Sequence, residues 1–214
     1  AIAQEGMNGD YGANIGKVIA IRKDLPSLLK AYAAAGSDAR MNGCELPVVI
    51  NSGSGNQGLT VSVPLIVYAE REHLDKEKLY RALVISNLTA IHLKTEIGRL
   101  SAFCGAVSAG AACGAGLAYL KDASEEVMNH TIVNALAITS GIICDGAKAS
   151  CAAKIAVSVE AGILGYDMYM NGQQFYGGDG IISKGIENTI HNIGVLGSQG
   201  MASTDQEIIK IMCE

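Results

Sequence analysis

The sequence contains no tryptophan, two phenylalanines and three prolines in 214 residues, and aromatic residues make up only 5% of it. Charged residues are also sparse, at 17%, with 21 acidic against 16 basic residues and a formal net charge of −5. The basic residues form no run and do not alternate with aromatic ones, so the electrostatic signature of a DNA- or RNA-binding protein is missing. We expect no nucleic-acid partner.

Long hydrophobic runs are missing as well. Although 49% of the residues are hydrophobic and the mean hydropathy is +0.26, no stretch reaches the roughly 18 apolar residues that cross a bilayer. The longest candidate, 100–120, is rich in Gly and Ala and contains Ser101 and Ser108, which predicts a buried helix. Residues 1–12 do not resemble a secretory signal, and the start on alanine suggests a fragment. We expect a cytoplasmic protein without a membrane segment.

What the sequence does contain is apolar residues that recur at intervals of three and four, the period of an α-helix. The clearest case is 75–97, where Leu79, Leu83, Leu88 and Ile91 form one stripe and Asp75 can cap the N-terminus. The prediction is an all-α fold, a compact bundle of about seven to nine helices with Gly-rich polar loops, forming a single domain over 1–214. The predicted helices are 24–36, 75–97, 101–120, 124–140, 149–164, 184–196 and 204–212, while 46–50 and 65–68 could be strand or helix.

A polar, glycine-rich loop occupies 51–58, with the sequence NSGSGNQG. Short polar side chains and backbone N–H groups in such a loop can bind a phosphate or a carboxylate. The loop matches neither GxxxxGK[ST] nor GxGxxG after a strand, so nucleotide binding is not indicated. Two interpretations remain open, an anion-binding loop and a turn that begins a helix.

Six cysteines, at 44, 104, 113, 144, 151 and 213, occur in a chain too long to need a disulfide scaffold. Free thiols or metal ligands are therefore expected rather than bridges. On a continuous helix, Cys144 and Cys151 would be separated by about 10.5 Å of rise, which is too far to share one metal ion. If the chain turns at Gly146 and a helix begins near Ala149, Cys151 lies in the first turn, where the helix dipole stabilises a thiolate.

The spacing of the cysteines along the sequence limits which kinds of metal site they could form. Cys104 lies in a Gly/Ala-rich segment, and the closely spaced cysteine pairs of a structural zinc site are missing. An iron–sulfur cluster held by three cysteines, with one iron open to substrate, agrees better with the number of cysteines, although ferredoxin spacings are also missing. Buried, inert cysteines are the alternative.

Four strings carry a resemblance to a known family: SDARM at 37–41, NSGSGNQG at 51–58, RLSAFC at 99–104, and GIICDGA at 141–147 followed by Cys151. Together they resemble the L-cysteine desulfidase family, which is related to the alpha chain of iron–sulfur L-serine dehydratase, and the chain resembles its C-terminal, catalytic half. The resemblance implies a [4Fe–4S] lyase of amino-acid catabolism that converts L-cysteine or L-serine to pyruvate and ammonia, releasing sulfide or water. The ligands it implies are Cys104, Cys144 and Cys151. In the dehydratases the last two ligands are farther apart.

The same resemblance and the composition of the loop suggest how a small amino-acid substrate binds. The substrate carboxylate would meet donors in the loop, with a basic counter-ion nearby. The residues expected there are Ser52, Ser54, Asn56, Gln57 and Arg40. The base that removes the α-proton is unassigned: His92 and Glu96 share a helix face, and Asp145 and Lys148 flank a ligand.

Two departures from the family affect the interpretation. Family members are about twice as long, so the N-terminal half of the same protein is an implied partner, and the Ala/Gly-rich surface makes a homodimer plausible. Cys44 and Cys113 match no motif and are expected to be packing residues. Cys213 resembles the terminal cysteine that closes the open iron in dehydratases, but no such role is expected in a desulfidase-like chain. The alternative function is a non-catalytic helical fragment or subunit-interface module that lacks the cluster, and the sequence does not choose between L-cysteine and L-serine.

Overall fold

The computed structural model describes residues 1–98 and 100–214, and its regular structure is helical. Arg99, the first residue of the RLSAFC string, lies outside the described residues. Within them, the α-helices are α1 (Ile2–Asn8), α2 (Ile15–Ala20), α3 (Leu25–Met41), α4 (Gly55–Arg71), α5 (Lys76–Ile97), α6 (Gly105–Leu120), α7 (Glu125–Thr139), α8 (Cys151–Met170), α9 (Ile186–Val195) and α10 (Ala202–Cys213). A π-helical turn, Leu196–Gly200, joins α9 to α10. The predicted all-α fold is confirmed, with ten α-helices in the described chain.

Helix α4 accounts for the main difference from the predicted elements. The segment 65–68 lies within it, although Pro64 cannot donate a backbone hydrogen bond there. The segment 46–50, by contrast, is irregular. Gly36 does not end α3, because the helix continues to Met41. A Cβ atom at Gly36 would lie 3.0 Å from Leu59 of α4, so this glycine allows close helix packing instead.

Helix α6 forms the centre of the molecule. Nearly all its residues are buried, and α4, α5, α7 and α8 pack around it. The contact with α8 is especially close: a Cβ atom at Gly110 would lie 2.3 Å from the carbonyl oxygen of Ser158, and one at Gly162 would lie 2.5 Å from that of Gly110. The Gly and Ala residues of α6 therefore let neighbouring backbones approach one another. No described helix has both the length and the apolar character to cross a membrane.

Helix α5 buries a different face from the predicted one. Asp75 caps it as predicted, by accepting a hydrogen bond from the Lys78 N–H at 2.9 Å. Small residues, Ala82, Ser86 and Ala90, form much of the buried face, and the Ser86 hydroxyl donates to the carbonyl of Val61 on α4. The predicted stripe is wrong in its C-terminal half, since the residues at 88 and 91 are largely exposed. Alanine and serine allow α4 and α6 to lie closer to α5 than leucine would.

Candidate functional site

Backbone hydrogen bonds bring Cys104 and Cys144 together. The Cys104 N–H donates to the carbonyl of Ile142 at 3.2 Å, and the Cys144 N–H donates to the carbonyl of Ala102 at 2.6 Å. Phe103, which is fully buried, forms an isolated antiparallel bridge with Ile143 between them. This pairing places side by side two thiols that are far apart in the sequence. Cys104 thus lies at the N-cap of α6, one residue before the Gly/Ala-rich helix.

The two neighbouring thiols have opposite acidities. A hydrogen bond from the Cys104 thiol lowers the pKa of Cys144 below its ordinary value, and the Gly146 N–H and the positive charge of Lys154 act in the same direction against the effect of burial. The same hydrogen bond, together with burial, raises the pKa of Cys104. Cys144 is therefore the thiol of this pair that ionises first, and a thiolate is the form that binds metal.

Cys151 reaches the same region because the chain breaks where the sequence predicts. Gly146 has a φ of +93°, in the region that favours glycine, and α8 then begins at Cys151 itself. The Cys151 thiol donates to the carbonyl of Gly146 at 3.5 Å. One turn later Lys154 donates to the carbonyl of Ile143 at 3.0 Å and forms an ion pair with Asp145. These contacts fasten the start of α8 to the segment that carries Cys144.

The loop at 51–58 consists of a tight turn followed by the first turn of α4. Ser52 and Gly53 have φ values of +49° and +82°, and the Ser54 hydroxyl caps α4 by accepting from the Gln57 N–H at 3.4 Å. The buried Asn51 side chain donates to the side-chain oxygen of Asn87 on α5 at 3.0 Å. The local structure is thus the turn that begins a helix.

The loop and the cysteines line one cavity of about 300 Å³, a volume at the lower end for small-molecule sites. All eight residues named from the sequence border it: Arg40, Ser52, Ser54, Asn56, Gln57, Cys104, Cys144 and Cys151. They lie at the end of α3, in the turn before α4 and its first turn, at the N-cap of α6, in the segment between α7 and α8, and at the start of α8. Helix N-termini carry partial positive charge, so their convergence favours an anionic ligand.

Two lysines that sequence reasoning did not assign to the site also line this cavity, Lys94 and Lys154. Lys94 is only 5% exposed, and burial lowers the pKa of its ammonium group while Cys144 and Cys104 counteract the effect. The sequence held a signal for Lys154, which follows Cys151 by one helical turn. It held none for Lys94, because the buried face of α5 is not the predicted one. With Arg40, they are the charged side chains among the described lining residues, and all are basic. Such a lining attracts anions.

Arg40 and Gln57 hold the loop side of the cavity. An Nη atom of Arg40 donates to the side-chain oxygen of Asn56 at 3.2 Å, so the guanidinium lies across the start of α4. Gln57 is 5% exposed and its Oε1 atom has no hydrogen-bond partner among the described residues. A Cβ atom at Gly105 would lie 2.6 Å from Gln57 Nε2, so glycine makes room for this amide. A buried acceptor without a partner, at the wall of a cavity, is available to a ligand.

The other candidates named from the sequence lie elsewhere. His92 pairs with Glu187 at 2.9 Å and Glu96 with His191 at 3.5 Å, both on the exposed side of α5, and no histidine is among the described lining residues. Lys148 is exposed, and it is Lys154 that pairs with Asp145.

The remaining cysteines differ in burial. Cys113 is fully buried in the core and Cys44 is half-buried against a small apolar cluster, as expected for packing residues. Cys213 is exposed at the end of α10. The preceding residue, Met212, approaches the cavity rim, where its Cε atom would lie 3.4 Å from a Cβ atom at Gly146.

The SDARM string contributes one residue to the stability of the fold and another to the lining of the cavity. The buried Asp38 accepts a hydrogen bond from the Gly16 N–H at 2.9 Å and so fixes the start of α2, while Arg40 faces the cavity.

A profile of the family described as "Serine dehydratase alpha chain" matches residues 1–210, so nearly the whole chain is covered. The chain belongs to the serine dehydratase alpha chain family.

Relatives of this serine dehydratase alpha chain family member are longer than it is. A UPF0597 protein of Desulfitobacterium hafniense (strain Y51) is 64% identical over 214 residues, which are 99% of this chain and 50% of that protein. UPF0597 proteins of Lachnoclostridium phytofermentans and Finegoldia magna are 54% and 52% identical, over 99% and 100% of this chain and 51% of each relative. The chain thus spans about half the length of these relatives. No solved structure matches it.

Proposed function

We propose that this chain is the cluster-binding half of an iron–sulfur lyase that eliminates the β-substituent of L-cysteine, as sulfide, or of L-serine, as water, to give pyruvate and ammonia. Membership of the serine dehydratase alpha chain family supports the reaction class. The observation that carries the proposal is the single cavity that brings Cys104, Cys144 and Cys151 together with the NSGSGNQG loop and Arg40.

The chemistry of the lining residues fits a [4Fe–4S] cluster held by Cys104, Cys144 and Cys151. Within the described part of the chain, no three His, Cys, Asp or Glu side chains are grouped to hold a single metal ion. A four-iron cluster makes a different demand, because each of its cysteines binds a different iron atom. The lowered pKa of Cys144 favours a thiolate, and Lys94 and Lys154 would offset the negative charge of a thiolate-bound cluster.

When bound, such a cluster supplies an iron atom with an open position that acts as a Lewis acid on the β-thiol or β-hydroxyl. The chain's own residues bind and orient the amino acid. Arg40 and the first turn of α4, with Ser52, Ser54 and Asn56, would hold the carboxylate, because they combine a guanidinium with hydroxyl, amide and backbone donors.

Gln57 would bind the other end of the amino acid. Its unpartnered Oε1 atom is an acceptor, which suits the α-ammonium group. With carboxylate and ammonium both held, the β-carbon is directed away from α4 and into the rest of the cavity. Loss of the α-proton and the β-substituent leaves an enamine, which water converts to pyruvate and ammonia.

The test is product formation by the complete protein. This chain, co-expressed with the unmatched half of the Desulfitobacterium relative and reconstituted with iron and sulfide without oxygen, should release pyruvate from L-cysteine or L-serine. Sulfide release distinguishes the two substrates. A colourless, iron-free complex that forms no pyruvate would contradict the proposal and favour the non-catalytic interface module.

A further inference from the structure

An apolar surface formed by α5 and by the loop between α3 and α4 is left without cover. It consists of Val49, Ile50, Val84, Leu88 and Ile91, which are 76%, 65%, 57%, 59% and 45% exposed. The α5 members are spaced by four and three residues, so they lie on one face of the helix. Single exposed apolar residues are ordinary, but a contiguous group of them marks a site of association. We call this group the α5 surface.

The loop and helix parts of the α5 surface are physically joined. Asn51 follows Ile50 directly, and its side chain donates to both the backbone carbonyl and the side-chain oxygen of Asn87, which precedes Leu88. Ile50 and Ile91 line one groove, at the end of α5 that leads to the cysteine cavity. These contacts therefore place the loop that carries Ile50 beside the exposed face of α5.

The α5 surface also leads into the candidate site. The groove that contains Ile50 and Ile91 is lined further by Ser52, Gly53 and Lys94, which line the cysteine cavity as well. At the rim of that cavity Leu100 is 93% exposed. Whatever covers the α5 surface would thus also reach the mouth of the cavity and shield it from water.

We infer that the α5 surface is the docking site for the other half of the full-length protein, the segment that this chain does not match in its relatives. Those relatives are about twice as long as the chain, so a segment of similar size remains to be accommodated. The surface is apolar, as expected of a contact between two parts of one protein, and it adjoins the cavity. The inference goes beyond the proposed function and does not rest on it.

The experiment co-expresses this chain with the unmatched half of the Desulfitobacterium relative and measures the dissociation constant of the purified pair. Leu88→Glu places a charge in the centre of the α5 surface and should weaken binding by about tenfold or more. The matched control is Val157→Glu, which changes a residue of similar exposure, 53%, on α8. Helix α8 packs on α3, α6 and α7, and the control should change affinity by less than about twofold. Circular dichroism melts of both variants verify that each is folded.

Hydrogen exchange of the unsubstituted pair provides the second readout. Backbone amides of 84–91 and 49–53 should exchange more slowly in the complex than in the chain alone. Absence of binding, equal weakening by Leu88→Glu and Val157→Glu, or protection confined to other segments would overturn the inference. Self-association of the chain that Leu88→Glu abolishes, with binding of the other half unchanged, would overturn it in favour of a second copy. Neither readout involves iron or activity, so a failure of this inference can be distinguished from a failure of the proposed function.

Discussion

The surroundings of Cys144 favour a thiolate. A neighbouring thiol and the backbone N–H of Gly146 donate to its sulfur, and the ammonium of Lys154 lies nearby, held by Asp145 and the carbonyl of Ile143. The Cys104 thiol, the Gly146 N–H and the Lys154 ammonium lower the pKa of Cys144, while burial and the negative charge of Asp145 raise it. The acidity of Cys144 therefore depends on groups that the sequence supplies from two separate segments.

Replacement of Lys154 should make Cys144 less acidic. In Lys154→Met the thiolate loses a positive charge, so its pKa rises and the pH at which the residue becomes reactive moves upward. We expect alkylation of Cys144 by iodoacetamide in the metal-free chain near neutral pH to slow by several-fold, measured by mass spectrometry of the Cys144 peptide over a pH series. Lys148→Met, at an exposed neighbouring lysine, is the control. An unchanged pH profile in Lys154→Met, or the same shift in both variants, would refute this explanation.

In the proposed function, Gln57 serves substrate binding rather than stability. Its buried Oε1 atom has no partner in the described chain, and a buried polar atom without a partner is unfavourable. Gln57→Leu should therefore leave the free energy of unfolding unchanged or raise it by up to about 1 kcal/mol, while it weakens amino-acid binding. Urea unfolding and the KM of the complete enzyme measure the two effects. Loss of stability with an unchanged KM would show that the amide has a structural role instead.

At the scale of the elements, glycine determines how closely the helices pack. Gly110 of α6 faces the backbone of Ser158, and Gly114 faces Gly162 on α8. Because the opposing atoms are backbone, no side-chain rotation can relieve a clash there. The arrangement of α6 and α8 in turn sets the relative positions of Cys104 and Cys151 at their N-terminal ends.

A methyl group at Gly110 should therefore separate these two helices. The added Cβ atom would lie 2.3 Å from the Ser158 carbonyl oxygen, and we expect Gly110→Ala to lower the free energy of unfolding by about 1–3 kcal/mol. Gly141→Ala is the control, since nothing lies within 4 Å of its added Cβ atom. Urea unfolding measures both. Equal stabilities of the two variants would show that α6 and α8 can separate at no cost.

The elements that the sequence predicted well are those decided by local chemistry. The caps of α3, α5 and α7, at Asp24, Asp75 and Ser124, are short polar side chains that accept N–H groups three residues on. The sequence left the segment of α4 open between strand and helix, because Pro64 and the β-branched residues favour other structures locally. Packing on α3 and α6 outweighs that preference. The exposure of Leu88 was missed, because periodicity does not reveal which face of a helix meets a neighbour.

At the scale of the molecule, residues from distant segments converge where α4, α6 and α8 begin. The sequence named eight of the residues that line the resulting cavity, three cysteines from the family resemblance, four residues from the composition of the loop and Arg40 as a counter-ion, but it did not reveal how they meet. The pairing of Cys104 with the segment around Cys144 is a long-range backbone contact with no local signal. Lys94 was overlooked because a lysine in a helix is ordinarily exposed, and only the packing of α5 shows that this one is buried.

The most direct test of the central claim is the amount of iron and sulfide bound by the complete protein after reconstitution without oxygen. The account predicts about four irons per chain with a broad brown absorbance. It further predicts that Cys144→Ser loses them, whereas Cys44→Ser, at a half-buried cysteine away from the cavity, retains them. Iron retained equally by both variants, or absent from the unsubstituted protein, would contradict the claim that these thiolates hold a cluster.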